Sequence, residues 1–145
     1  MPLIMMWASV NGFVAIVLAA WASHGAVIEG SYESSLITKA SYYQLVHSAV
    51  IMWVAVLAER SILFRIAGLL FGLGQILFCG SLYLIALLDV PAGHGAPLGG
   101  ISFMAGWVMC AIAGAMHGAQ GRRMVEKVGE GAYENAQADL DRRRQ

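Results

Sequence analysis

The chain has 145 residues, of which 59% are hydrophobic and only 12% are charged. A soluble domain usually has about a quarter of its residues charged, so this composition excludes an ordinary soluble protein and indicates a membrane protein. Nine basic and nine acidic residues give a net charge of zero, so the net charge alone says nothing about partners. From the membrane composition we predict the lipid bilayer, and no nucleic acid, as a partner.

Four apolar stretches are long enough to cross the hydrocarbon core, which takes about 20 helical residues. They are Leu3–Ala22, Tyr42–Ala58, Ile66–Leu88 and Leu98–Met116, numbered here as spans one to four. Lipid offers no hydrogen-bond partner to the backbone, so each span is predicted to be an α-helix. The sequence thus predicts an all-α bundle of four transmembrane helices in residues 1–118, followed by a polar, charged cytoplasmic tail in residues 119–145.

Basic residues are distributed unequally between the two sides of this predicted bundle. Lys39 is the only one on the outer side. The remaining eight of the nine lie on the other side: Arg60, Arg65, Arg122, Arg123, Lys127, Arg142, Arg143 and Arg144. Cytoplasmic loops carry an excess of Lys and Arg, so this distribution predicts that both termini are cytoplasmic.

The two outer loops have different compositions. Residues 32–41 contain no proline, and Glu33 near their start suits a helix N-terminus. We expect a short surface helix there that bends into span two. The loop before span four holds Pro91, Gly93, Gly95 and Pro97, which predicts a tight turn with Pro97 in the first turn of the next helix.

Small residues recur at helical spacing in spans one, three and four. Transmembrane helices associate through close backbone approach, which small residues permit. The predicted packing positions are Ala8, Gly12, Ala15, Gly68, Gly72, Gly106 and Gly114. Rows of small residues of this kind allow helices to pack within one chain. They also allow an interface with a second copy of the chain or with other subunits of a membrane complex. The sequence alone leaves both alternatives open.

Two amides lie at membrane depth, Asn11 in span one and Gln75 in span three. Counted along parallel helices, their depths agree within roughly 3 Å, which predicts an interhelical hydrogen bond between them. Cys79 and Cys110 differ in depth by roughly 10 Å, so we expect no disulfide between them.

Three histidines, His24, His47 and His94, fall on or near the outer face. They are open to three interpretations: neutral structural side chains, a metal or haem site, or a pH-sensitive site. Their spacing matches no known metal motif, and we predict no metal site. The sequence also lacks a nucleophile elbow, a P-loop and a dinucleotide-binding fingerprint, so we predict that the protein is not an enzyme.

Several short motifs, in order, are shared with a known family. They are Trp-Ala-Ser-His-Gly at 21–25, Tyr-Gln-Leu-Val-His at 43–47, Phe-Cys-Gly-Ser-Leu-Tyr-Leu at 78–84, and Ala-Pro-Leu-Gly-Gly at 96–100 with Ala-Gly-Trp at 105–107. In these the chain resembles the domain-of-unknown-function 423 group, also called YgdD-like, whose eukaryotic relatives are named transmembrane protein 256. The resemblance covers about residues 11–114. It implies a four-helix protein of the bacterial inner membrane and no established activity.

The resemblance and the depth of the polar residues both draw attention to the outer half of the bundle. The candidate polar cluster there is His24, Tyr43, Gln44, His47, Ser81 and Tyr83. His94 is not part of the shared pattern, which weakens a three-histidine metal site. The sequence does not identify a cofactor.

The tail carries a weak apolar stripe at every fourth residue: Met124, Val128, Ala132, Ala136 and Leu140. It fits either a solvated, partly helical tail or a docking helix. Together these features favour a non-catalytic accessory or assembly subunit of a larger membrane complex. The alternatives are a site for a metal, haem or quinone around His24 and His47, and an oligomeric transporter or channel.

The predicted topology gives a first test. In a variant with both native cysteines replaced by alanine, we expect a new cysteine at either chain end to label with an impermeant maleimide in inverted vesicles but not in intact cells. A cysteine at Gly93, in an outer loop, serves as the control and labels in intact cells. Labelling of the two ends from opposite faces would contradict the topology.

Overall fold

A computed structural model describes residues 2–26, 28 and 30–144, all of which form helices or short connections, with no β-strand among them. The helices in chain order are α1 (Pro2–Trp21), a π-helical turn (Ala22–Ala26), α2 (Tyr32–Leu57), α3 (Ile62–Gly74), a second π-helical turn (Gln75–Cys79), α4 (Gly80–Leu88) and α5 (Gly95–Arg144).

Four helical segments have the length and composition to cross a membrane, which confirms the predicted number of spans. They are Leu3–His24, Tyr32–Leu57, Ile62–Leu88 and Gly95–Gln137. The third span joins α3, the second π-helical turn and α4 into one helical stretch. Contacts divide the chain into two compact units, one ending at Cys110 and the other beginning at Ala111. The predicted boundary near Gly118 stays a prediction.

In the first unit, α2 is the central helix and packs against α1, α3 and α4. Its Ile37, Ile51 and Val54 are almost fully buried. From α1, Ala8 and Ala15 are also buried, and a Cβ atom at Gly12 would lie 3.6 Å from the Ser48 Cβ. Small side chains on α1 thus let its backbone lie close to α2.

The first turns of α5 pack just as closely, through glycines. A Cβ atom at Gly99 would overlap the Phe78 backbone, and one at Gly106 would lie 2.7 Å from the Phe71 ring. The Ser102 Oγ donates to the Leu70 carbonyl at 2.7 Å. Gly114 behaves differently, because its Cβ position has no neighbour within 4 Å among the described residues. Gly114 therefore makes no close contact with another described residue of the chain, and its role in helix packing stays a prediction.

The predicted surface helix before span two does not exist as a separate element. Ser31 caps α2 by accepting a hydrogen bond from the Ser34 N–H at 3.1 Å, and the helix then runs unbroken to Leu57. Leu36, Ile37 and Ala40 are buried, so this segment packs in the bundle. Their spacing continues the apolar face of span two, and no residue between them breaks the helix.

The turn before α5 forms as its composition predicts. Asp89 ends α4 in the left-handed region, at φ 52°, and the Val90 N–H bonds to the Leu84 carbonyl at 3.2 Å. Pro97 lies in the first turn of α5, where its missing N–H costs nothing.

The close contact at Gly99 generates a stability prediction. The Gly99→Ala variant is expected to lose about 1 to 3 kcal/mol of unfolding free energy, because its methyl group would meet backbone that cannot move aside. Thermal unfolding in detergent measures this. Gly100→Ala is the matched control, since a Cβ atom at this adjacent residue meets nothing within 4 Å. Equal midpoints for the two variants would contradict the packing described here.

Candidate functional site

A network of buried polar side chains connects α1, α2 and α4, with Gln44 at its centre. The Gln44 Nε2 donates to the Asn11 Oδ1 at 2.9 Å. The Gln44 Oε1 accepts from the Tyr83 hydroxyl at 2.8 Å. One amide on the central helix thus holds a partner on each of two neighbouring helices.

Gln75, at the start of the second π-helical turn, extends the same network. Its Nε2 donates to the Gln44 carbonyl and to the Ser48 Oγ, both at 2.9 Å. Its Oε1 accepts from the Trp7 indole N–H at 3.1 Å. Gln75 therefore links the third span to both α1 and α2.

Counting protons fixes the direction of the two hydroxyl bonds in the network. Tyr83 has one hydroxyl proton and gives it to Gln44, so Ser41 Oγ donates to the Tyr83 oxygen at 3.1 Å. Ser48 Oγ gives its proton to the Gln44 carbonyl at 2.7 Å and so accepts from Gln75. The donors and acceptors match throughout, as buried polar groups in a stable core require.

The predicted hydrogen bond between Asn11 and Gln75 is wrong. The Asn11 Nδ2 donates to the Trp7 carbonyl of its own helix at 3.0 Å, and its Oδ1 accepts from Gln44. The two amides are joined indirectly, through Gln44 and Trp7. Equal depth indicated that they share a layer of the bundle, but it could not show that side chains of α2 lie between them.

The second π-helical turn lies where Gln75 enters the network. The Gly80 N–H bonds to the Gln75 carbonyl five residues earlier, which widens the helix locally. Gln75 and Cys79 are buried at the two ends of this turn. Such turns change the direction of the side chains that follow, and they occur frequently at functional sites.

His47 lies outside this network, in a cage of aromatic rings. Its ring stacks on Phe103 with the centroids 3.7 Å apart, and Phe71 lies 5.6 Å away. Trp107 completes the cage edge-on at 6.4 Å. The His47 side chain is only 5% exposed. Gly74 makes room for the Phe103 ring, which a Cβ atom at that position would overlap.

The hydrogen bonding of His47 assigns its tautomer. Its Nδ1 lies 2.8 Å from the Tyr43 carbonyl, which can only accept, so Nδ1 carries the proton. Nε2 then presents a bare lone pair. Among the described residues it is the only buried side-chain nitrogen or oxygen without a hydrogen-bond partner.

The structure splits the predicted polar cluster into separate parts. Gln44 and Tyr83 belong to the network, whereas Tyr43 contacts His47 through its carbonyl. Ser81 is buried and donates to the Leu77 carbonyl of its own helix. His24 lies exposed in the first π-helical turn.

The cysteines and histidines do not assemble a metal centre in the described part of the chain, where no three His, Cys, Asp or Glu side chains come together. His94 is exposed in the turn before α5. Cys79 and Cys110 are both buried as free thiols.

Sequence reasoning missed six members of these two clusters: Trp7, Ser41, Ser48, Phe71, Phe103 and Trp107. A signal for the serines was present, because Ser41, Gln44 and Ser48 are spaced three and four residues apart and so share one face of a helix. Phe103 had no comparable signal, since an aromatic residue in an apolar span has many possible neighbours.

The network predicts the effect of removing its central amide. Gln44→Met keeps the approximate volume but leaves Asn11 Oδ1 and the Tyr83 hydroxyl without their partner. We expect a loss of about 1 to 2 kcal/mol of unfolding free energy, at the upper end of interhelical hydrogen bonds in membranes. Unfolding in detergent measures it against Gln120→Met, an exposed control. A neutral result for Gln44→Met would show that these bonds contribute no stability.

A family model described as "Protein of unknown function (DUF423)" matches residues 18–100. The chain is 33% identical over 112 residues to the UPF0382 inner membrane protein YgdD of Escherichia coli (strain K12), covering 74% of this chain and 86% of that protein. It is 31% identical over 118 residues to a UPF0382 membrane protein of Staphylococcus aureus (strain bovine RF122 / ET3-1), covering 78% and 95% respectively.

No solved structure matches the chain significantly. The family match spans more than half of the 145 residues and includes Gln44, His47 and Tyr83. The chain is therefore a member of the DUF423 family, an uncharacterised family of membrane proteins.

Proposed function

We propose that this protein is a non-catalytic accessory or assembly subunit of a larger complex in the bacterial inner membrane, with both termini in the cytoplasm. The observation that supports it most strongly is the helix surface at the end of the chain. Every residue from 120 to 137 except Gly131 is exposed, although the whole segment is helical. Helices in proteins gain most of their stability from packing, so a helix with no packed face is suited to a partner.

The same surface offers apolar side chains among its charges. Met124, Val125 and Val128 are each about 70% exposed, at 71%, 74% and 68%. Met124 and Val128 are one helical turn apart and so lie on one side of α5. The side chain of Leu140, the last member of the predicted stripe, lies outside the described residues.

Open glycines add a second contact surface within the second unit. Cβ atoms at Gly114, Gly118 and Gly121 would meet nothing within 4 Å. Their spacing of four and then three residues places them on one side of α5, which allows close approach by another transmembrane helix.

The buried polar groups of the first unit support a non-catalytic role. The amides and hydroxyls around Gln44 donate to and accept from one another, and so they hold helices together. A catalytic site needs groups that are free to engage a substrate, and each buried side-chain nitrogen and oxygen of this network already has a partner.

Affinity purification in mild detergent, followed by native mass measurement, tests the proposal. We expect the full chain to elute with stoichiometric membrane subunits. Val128→Glu is expected to lose them, because a charge on the apolar side of α5 would have to be desolvated at the interface. Gln137→Glu adds the same charge on the opposite side and serves as the control. A lone monomer, or equal complexes for both variants, would refute the proposal.

A second candidate function, supported by the bare His47 Nε2, is binding of a metal, haem or quinone. A neutral imidazole nitrogen is a common metal ligand and also accepts a hydrogen bond from a quinol. Metal analysis, a visible spectrum and quinone extraction of the purified protein test this candidate. A ligand lost in His47→Phe would support it, and a ligand-free wild type would exclude it.

A further inference from the structure

An apolar groove of about 390 Å³ runs between α1 and α3 in the first unit. Leu3 and Trp7 line it from α1, Gly72 and Leu73 line it from α3, and Ile51 of α2 forms its floor. It arises because α1 and α3 each pack on α2, while glycines on α3 supply no side chain to close the gap. A Cβ atom at Gly72 would still be 3.9 Å from the Trp7 indole nitrogen.

The groove faces the surroundings of the helix bundle, since Leu3 is 73% and Leu69 is 68% exposed. Around a transmembrane segment those surroundings are acyl chains. Water does not bind stably in this groove, because the lining offers almost no hydrogen-bonding partner. The chemistry of the walls therefore fits a hydrocarbon chain.

Helical spacing places a basic side chain about one turn before the first residue of α3 that lines the groove. Arg65 precedes Gly68 by three residues and Leu69 by four, so it shares the groove-lining face of α3. Its Nε donates to the Ala58 carbonyl at 2.8 Å, which fixes the guanidinium at the end of α2. The two terminal nitrogens of Arg65 have no partner among the described residues.

The charges near Arg65 leave a positive balance. Arg60 and Glu59 are both exposed in the connection between α2 and α3. With Arg65 they give two positive charges against one negative. A guanidinium with free terminal N–H groups matches the geometry of a phosphate, and basic pockets between transmembrane helices at the cytoplasmic face commonly bind lipid head groups.

We propose that this groove binds one anionic phospholipid of the leaflet that Arg65 faces. Its acyl chain lies along Gly68 and Gly72, and its phosphate accepts hydrogen bonds from Arg65. The competing occupant is a helix from a second copy of the chain, drawn to the same glycines. A second helix would bury the groove but would leave the free N–H groups of Arg65 without an anion. The positive charge of Arg65 therefore favours a lipid over a second helix as the occupant of the groove.

The headgroup is tested with the full chain in nanodiscs that mix phosphatidylglycerol and phosphatidylcholine with identical acyl chains. Native mass spectrometry of the released protein reports which lipid stays bound. We expect roughly a tenfold preference for phosphatidylglycerol, because both lipids have the phosphate but only phosphatidylglycerol has a net negative charge for Arg65 and Arg60 to attract. The preference is expected to disappear in Arg65→Gln and to persist in Arg123→Gln, which removes the same charge elsewhere. No preference in the wild type, or an equal loss in both variants, overturns the proposal.

The acyl chain is tested separately, so that a fold defect in one variant does not decide the outcome. Gly72→Leu fills the groove and is expected to lower retention of both lipids, whereas Gly100→Leu, placed in open space, is expected to retain them. Unfolding midpoints identify any variant that has lost its fold. If Gly72→Leu instead converts a dimer to a monomer and leaves lipid retention unchanged, a second copy occupies the groove and the proposal is wrong.

Discussion

Gln75 determines how the first and third spans are held against the second. Both protons of its amide go to α2, and its oxygen accepts from Trp7 of α1. In hydrocarbon, apolar contact alone gives helices little preference for one register, because lipid tails are as apolar as leucine. Hydrogen bonds between specific polar side chains supply that preference. A shift of α3 by one residue would break several of these bonds at once, so the network acts as a register constraint for the whole first unit.

The glycines then set how closely the helices approach once the register is fixed. Gly99 lies against the backbone of Phe78, and Gly106 against the Phe71 ring. Gly74 admits Phe103, and Phe103 in turn stacks on His47. The polar layer around Gln44 and the aromatic cage around His47 thus lie side by side on the same central helix. The first holds the bundle together by hydrogen bonds and the second by ring packing.

The sequence predicted the four spans and the small-residue seam of α1, because both follow from composition and helical spacing. It placed Asn11 and Gln75 in one layer, but it could not identify Gln44 as the group between them, since a partner is set by helix rotation. The π-helical turn at Gln75 had no signal in composition. The unbroken course of α2 did have one, because Leu36, Ile37 and Ala40 continue the apolar face of span two, but the prediction of a separate surface helix did not use it. The extent of α5 was also missed, because Gly129 and Gly131 reduce helix propensity locally without ending a helix.

The distribution of satisfied and unsatisfied groups limits where function can lie. Within the described residues, the buried polar groups of the first unit are paired, apart from one histidine nitrogen in an aromatic cage. Groups that remain available are at the periphery: Arg65 beside the groove, and the exposed sides of α5. This distribution supports the two proposals made above, which assign lipid to the groove of the first unit and other chains to the terminal helix.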